Sequence, residues 1–490
     1  MHCTTAVLPN YNYNGTIMEK LEALFDHIAA RVNVNLKPMG IDVRPLLKNA
    51  IPRERHLLYY AFYALTEDHP ISFKFVNSNL AGSYFLGKTQ VDRSVLYKSD
   101  VRGDELKQKG DVVEFNGVKT KLFYDEVIRI INSYLVKTLI HNHSKNPQIP
   151  EVFRILNTVA MHYSNIHGTT TEGAYLGAFS TVDLSVLHNC VIGDFSYVQA
   201  GDLSRITIEP GRVWLRANGL FEFNYLYPEG VVEQYVKLDE NGKLSGKFID
   251  YVDDLKEDFV PIYSTATPES IIDIPDSAYV SPYAVIKGTC EIGENALVVQ
   301  RAHIENSVIG KGANAQENCY IANSIFEGNN VTAHGGKVIW TRNGQNVFVG
   351  FNSFVHGTEK NPITIGRDSI VMPHTIIDAE EPIEIPENSA VWGYVTRQAD
   401  LETQCVNLDE LAKATDVTLG NATFKGDGKA FVEAFKHRID HIREENGAYF
   451  DGSDKTRGHA QKTQDACFNI LQPFQAGPDA GMYPTMTIGN

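Results

Sequence analysis

The chain has 490 residues, and its 44 Lys and Arg against 60 Asp and Glu give a formal net charge of −16. That balance excludes nucleic acid and anionic membrane surfaces as expected partners. No run approaches the roughly eighteen apolar residues of a transmembrane helix, and the 43 % hydrophobic content suits two or three packed domains.

The N-terminus, "MHCTTAVLPNYNYNG", lacks the basic start and apolar core of a signal peptide. Cys3, Cys190, Cys290, Cys319, Cys405 and Cys467 are scattered, with no CxxC pair. They read as reduced thiols, and a cytoplasmic location is expected. A helix is expected over 16–32, with Met18, Leu21, Phe25 and Ile28 on one face. A second is expected over 51–69, ending before Pro70, its Tyr59, Tyr60, Phe62 and Tyr63 buried between domains. The stretch 79–106 turns extended and glycine-punctuated, a first irregular coil. Within it "KSDVRGDE" reads either as a surface turn or as a polar site.

Residues 122–140 read as an amphipathic helix through Val127, Ile131, Leu135 and Leu139, and "SKNPQIP" breaks it with two prolines. Residues 151–167 read as helical again. His162 and His167, five apart, do not share a helical face and read as ordinary polar histidines. Residues 1–170 therefore form a helical N-terminal region with a short extended segment. Over 174–210, Ile192, Gly193, Ser196 and Val198 open a six-residue pattern, a first β-helix segment. Residues 211–265 interrupt it as an inserted antiparallel β segment with a hairpin turn at Asn241-Gly242. Its alternating Phe221, Phe223, Tyr225 and Tyr227 are expected to face a core rather than a binding surface.

The main pattern fills 266–397. Ile274, Val280, Ile286, Ile292, Val298 and Ile304 fall at steps of six; after a slip of one, Ile309, Ala315 and Ile321 resume. The step returns at Val349 and Val355, at Ile365, Val371 and Ile377, and at Ile385 and Val391. Small residues follow four places on, among them Ala278, Ala284, Cys290, Ala296 and Ser353. A period of six is neither helical nor a plain strand. It describes three short strands per turn of a coil, with aliphatics stacked inward at about 4.8 Å and glycine at tight corners. "IGENAL", "IGKGAN", "VGFNSF" and "IGRDSI" resemble the hexapeptide repeats of the left-handed parallel β-helix superfamily. The fold expected is mainly β: a left-handed parallel β-helix with an N-terminal helical region, an inserted antiparallel segment and a C-terminal helical extension. Residues 335–346 and 357–362 depart from the step and are expected to loop out as binding segments. After Arg397, "FVEAFKHRIDHI" is an amphipathic helix through Phe431, Phe435, Ile439 and Ile442. It either caps the stack or packs on a neighbouring subunit, and the last forty residues of 398–490 read as an extended arm or partly disordered tail.

The resemblance implies three kinds of function, since one fold hosts many. The first is acyl transfer from a thioester such as acyl-CoA to a small polar or nucleotide-linked acceptor. A histidine is then the general base. Of the four histidines His303, His334, His356 and His374, two adjoin the expected loops. His334 is read as the base, with His356 in a lesser role. Gly335 and Gly336 keep space open and offer N–H groups to an oxyanion, and Trp340 and Arg342 contact the nucleotide part of the donor. The second is a zinc site like that of the γ-class carbonic anhydrases, whose three histidines lie between subunits of a trimer. His334 and His356 stand twenty-two residues apart, as that family's first and third ligands do, but Phe351 holds the second place. Arg301, Asn314, Gln316 and Glu317 echo that family's upstream motif, yet counting on from them puts a first ligand at Ala322, twelve residues out of register. A site rebuilt with His303 or His374 stays open. The third is non-catalytic assembly, in which Arg301, Gln316 and Glu317 form ordinary ladders along the coil. A homotrimer is expected from the resemblance.

Overall fold

Ile304, Ile321, Val338, Val355, Ile377 and Val395 stand directly above one another on parallel strands, and all are fully buried. They form one inward column of a coil whose three sheets hold eight, seven and six strands. This computed structural model describes residues 18–489 apart from 59, 67–68, 70–71, 116, 143–149, 240–241 and 264–271; Asn241 and Tyr59 of the expected elements lie outside them. Successive turns from Ile304 to Val355 are seventeen residues long, one short of three sixes, which accounts for the slip in the repeat. Asn295, Asn306, Asn323, Asn329, Asn346, Asn352 and Asn388 turn the corners with φ between 45° and 63°. Asparagine tolerates that left-handed backbone because its short polar side chain bonds locally.

The structure contains a second coil of the same kind upstream. Phe85, Val101, Ile140, Ile166, Val182 and Val198 form its inward column, all fully buried. Its sheets hold twelve, six and eight strands, and the chain passes from this first coil through Arg212–Ala217 into the insertion. The helices expected over 122–140 and 151–167 are therefore strands: Val127–Ile131, Tyr134–Val136 and Leu139–His141, then Val152–Leu156, Val159–Ala160 and Asn165–His167. The apparent helical stripe of Val127, Ile131, Leu135 and Leu139 is a coincidence of spacing. The residues turned into the coil are Ile128, Ile130, Leu135 and Ile140, and neighbouring turns on both sides supply their packing. The helix expected over 51–69 shrinks to Arg55–Leu58, after which Ala61–Leu65 joins the coil.

Other expectations change as well. Residues 335–346 are not a protruding loop but carry the coil strands Lys337–Ile339 and Thr341–Asn343; only 357–362 bulges, between Phe354–His356 and Ile363–Ile365. Ile286 and Ile292 are half-buried rather than inside, because they sit at the open end of the second stack. The C-terminal tail is ordered. Cys467–Leu471 and Met486–Gly489 pair antiparallel with Ala61–Leu65 and Ser72–Val76 and cover the first coil's edge strands. The insertion opens with the antiparallel pair Arg212–Ala217 and Phe221–Leu226, and Phe223, Tyr225 and Tyr227 face a core as expected. It continues into the helix Lys247–Asp254.

Each coil has its own apolar interior, and a third core lies between them. Tyr134 and Tyr197 from the first coil and Tyr320 and Phe354 from the second meet there with Phe25 of the helix Glu19–Leu36 and Phe431 of the helix Gly428–Asn446. The latter helix does not cap a stack. It crosses both coils, Arg438 pairing with Asp183 and Arg443 donating to the carbonyls of Asn329 and Asn346. Among the described residues the five cysteines are free thiols, and no helix is long and apolar enough to cross a membrane.

Lys337 is a buried cation in this third core. Its ammonium donates to Gly335 O at 2.6 Å and lies 5.4–5.8 Å from the rings of Tyr163, Phe179 and Tyr320, with no carboxylate in contact among the described residues. Burial pushes it down to about 8. The folded state therefore carries the full cost of the charge below pH 8. That cost is relieved between pH 8 and about 10.4, where only the unfolded chain stays protonated. Lys337→Met is expected to raise stability at pH 7 by about 3 kcal/mol, and the gain should vanish above about pH 10. Melting curves at the two pH values check this; an equal gain at both would show that charge burial is not the cause.

Candidate functional site

On the facing sides of the two coils outward side chains form two ladders, one place beyond the inward column on the strands of the first coil and two places beyond Ala315, Thr332 and Val349, just past the strand ends, on the second. On the first coil, Arg102, His141, His167 and Asp183 occupy the same place on four successive strands. On the second, Glu317, His334 and Phe351 follow at seventeen-residue turns, held in register by Gly335 N–H to Glu317 O at 2.8 Å and Asn352 N–H to His334 O at 3.0 Å. The ladders meet rung by rung. Arg102 Nη1 lies 2.7 Å from Glu317 Oε1, and His141 Nδ1 lies 3.4 Å from His334 Nε2. The His167 ring is 5.8 Å from that of His334 and 5.2 Å from that of Phe351.

Each imidazole is backed by a carboxylate. His167 Nδ1 is hydrogen-bonded to Asp183 at 3.0 Å, His334 Nδ1 lies 2.8 Å from Glu317 Oε2, and His141 Nε2 lies 3.3 Å from Glu105. The His334–Glu317 contact is close but off-axis, so it acts through charge more than as a directed hydrogen bond. Glu317 also accepts from Gln300 at 3.0 Å, Asp183 is clamped by Arg438 at 2.6 and 3.0 Å, and Asp104 pairs with Arg102. Burial alone would push Glu317 up, but Arg102 and then His334 hold it down to about 2. Asp183 lies well below the usual carboxylate range, because Arg438 and His167 outweigh its burial. Burial lowers His334 and His167 despite their carboxylates, so both are neutral at pH 7.

This donor set fits a divalent transition metal. One ligand nitrogen from each of His141, His167 and His334 can be chosen so that all three lie within 4.8 Å of one another. Two nitrogens held at about 2.0–2.1 Å by a tetrahedral zinc stand about 3.3 Å apart, close to the 3.4 Å between His141 and His334. Neutral imidazoles are the required ligand form, and the hydrogen bond of His167 Nδ1 to Asp183 leaves its Nε2 lone pair for the centre. Beside the centre lies a cavity of about 70 Å³, walled by Gln316, Phe351, Arg438 and His441. It has room for a very small molecule next to the three histidines.

Of the residues singled out in the sequence, His334, Glu317 and Gln316 are here. Phe351, in the place of a missing ligand, forms the wall one turn above His334. Arg301 lies on the other side of the seam, bound to Asp100 at 2.8 Å and Gly82 O at 2.6 Å. His356 belongs to a different sheet and bonds Asp378 at 2.8 Å, so the twenty-two-residue spacing does not bring it to His334. The N–H groups of Gly335 and Gly336 are spent on Glu317 O and Ala333 O, and neither is left for an oxyanion. Gly335 instead holds φ at +77°, where a Cβ would strike Asn352. Trp340 turns a corner with φ 51°, and Arg342 pairs with Glu327 at the surface. His303 bonds Asp258 and His374 bonds Thr181, both away from the centre.

His141 was missed because it lies just past the stretch 122–140 read as a helix, and His167 was read as an ordinary polar residue at the end of a second helix. The signal for them is an aliphatic-then-polar ending repeated along the first coil: Val101-Arg102, Ile140-His141, Ile166-His167, Val182-Asp183. Asp104 and Glu105 of "KSDVRGDE" belong to the centre too, and His459 of the tail lies 3.6 Å from Asp104.

Residues 118–240 match the family described as hexapeptide repeat including loop. A crystal structure from Desulfovibrio desulfuricans G20, of a protein described provisionally as an acetyltransferase, is 48% identical to this chain. The match covers 96% of this chain and 99% of that one, with a TM-score of 0.88. No curated protein matches. With identity of that order over nearly the whole of both chains, and with two coils of six-residue repeats, this chain belongs to the hexapeptide-repeat superfamily of left-handed parallel β-helix proteins.

Proposed function

We propose that this chain is a metal-dependent enzyme whose centre is built by His141, His167 and His334, and that it performs a hydration, hydrolysis or lyase reaction on a small polar substrate. The observation that supports it is the convergence of three carboxylate-backed imidazoles from two coils beside a cavity too small for a large substrate. A bound zinc ion with three protein ligands keeps a fourth position open, acts as a Lewis acid and brings the pKa of water there toward neutrality. The chain's own residues do the rest. Glu317, Asp183 and Glu105 orient the imidazoles. Phe351 presents an apolar wall that limits water, and Gln316 and Arg438 offer donors to a small polar or anionic substrate. The facing ladders belong to one chain, so the centre forms without a partner subunit; the homotrimer stays a proposal that light scattering tests.

Metal analysis of the purified protein is the direct test. About one zinc or comparable ion per chain, removed by chelator together with activity, is the expected result. A metal-free protein that keeps its activity refutes the reading.

The relative's description as an acetyltransferase favours a second reading, acyl transfer to a small acceptor. His334, neutral at pH 7, would then take the acceptor's proton. Calorimetry with acetyl-CoA on metal-free protein separates the two, since only this reading predicts heat of binding and turnover without a metal.

A further inference from the structure

Between an outward face of the second coil and the strands that extend the first lies an apolar cavity of about 270 Å³. The second coil supplies its floor. One outward column of that coil runs Val331, Phe348, Ile370 and Ala390 on successive turns. Its first three members are bulky and pack in the third core; at Ala390 the column shrinks to a methyl group, and the space opens there beside Trp392. The roof is a sheet in which Phe223 pairs with Phe424 and Phe424 with Val417. Val417 and Leu419, on the edge strand Asp416–Leu419, are only half-buried, as is Ala414, so the cavity reaches solvent between them. Close-packed interiors hold few voids larger than a water molecule, and apolar walls give water no partners.

A second, independent observation lies in the floor. Trp392 is 4 % exposed, and its indole N–H has no hydrogen-bond partner among the described residues. A buried donor left so is costly and calls for an acceptor. The walls do not supply one: apart from Glu410, which is exposed, the lining side chains are those of Phe, Met, Ala, Trp, Val and Leu and carry no oxygen. The acceptor therefore has to come with a ligand.

We propose that this cavity binds an uncharged aliphatic molecule with a carbonyl oxygen near one end, the oxygen on Trp392 Nε1 and the chain running out past Val417 and Leu419. An apolar cavity of about 150 Å³ takes benzene, so this one has room for a chain of about eight to ten carbons. A fatty acid does not suit it. At the Trp392 end its carboxylate would be buried with one donor to meet it, and at the mouth it would meet the like charge of Glu410. The site stands apart from the histidine centre and does not depend on what that centre does.

The test is calorimetry of the full-length protein with 2-octanone, octanoate and toluene. 2-Octanone should bind about tenfold or more tightly than octanoate, and Glu410→Gln should narrow that gap. Trp392→Phe keeps an apolar ring and removes the donor. It should cost 2-octanone about three- to tenfold in affinity, the worth of one neutral hydrogen bond, and leave toluene, which has no acceptor oxygen, bound as before. Ala390→Leu fills the floor and should abolish binding of 2-octanone while the protein melts as the parent does. Should that variant not fold, Ala414→Leu at the half-buried mouth makes the same test. No binding at millimolar 2-octanone, octanoate bound as tightly as the ketone, a Trp392→Phe variant that loses no more for 2-octanone than for toluene, or a folded filling variant that binds as the parent does would overturn the proposal.

Discussion

His334→Ala is expected to strip the protein of bound metal and of its metal-dependent activity. Three imidazole nitrogens define the centre, and each comes from a side chain that packing and a carboxylate hold in place. Removing one ligand of three leaves an open, weakly held site, because affinity rests on ligand number and geometry. Occupancy at micromolar protein should fall from about one ion per chain to near zero, and activity by about 100-fold or more. His167→Ala should match it. Asp183→Asn removes the carboxylate that His167 shares with Arg438 and should weaken metal binding by about 10–100-fold. His356→Ala, whose imidazole bonds Asp378 in another sheet, should change neither. Inductively coupled plasma analysis beside circular dichroism separates loss of metal from loss of fold. If His334→Ala keeps its metal while folded, the centre lies elsewhere. If it loses activity but the parent never held a metal, the general-base reading of His334 takes its place.

The second coil was legible in the sequence because Ile304, Ile321 and their neighbours recur at six with few interruptions. Its surface histidine was legible too. What failed was the partner. Residues 122–167 carry the same coil, but the turn from Ile130 to Ile155 is twenty-five residues long, and Val127, Ile131, Leu135 and Leu139 fall by chance at helical spacing. With that segment read as helix, His141 and His167 had no face in common with His334. Within the second coil alone, Phe351 holds the place of a ligand and the two partial motifs disagree by twelve residues. Periodicity reports which residues face inward. It carries no information on which outward ladder meets which, because that contact is set by the third core, where Tyr134, Tyr197, Tyr320 and Phe354 pack from opposite sides.

Ile304→Asp is expected to unfold the second coil, and Ile292→Asp is not. Both isoleucines lie on the six-residue step, but Ile304 is fully buried between Ile286 and Ile321, whereas Ile292 sits half-buried at the open end with a neighbour on one side only. An aspartate at 304 places a carboxylate in an apolar cluster, between Ile286 and Ile321. Either the charge is buried unpaired or the group takes up a proton, and both are costly. The loss should be about 4–5 kcal/mol or more, in the range that abolishes folding of a marginal unit. At 292 the side chain can turn toward solvent, and the cost should be about 1–2 kcal/mol, close to the lost apolar burial alone. Urea titration followed by far-ultraviolet circular dichroism measures both. Since one face of the histidine centre is the second coil, Ile304→Asp should release bound metal at the same denaturant concentration at which that coil melts. Equal stabilities for the two variants would mean that the stack does not end where Ile292 stands, and that the inward column is not the one described.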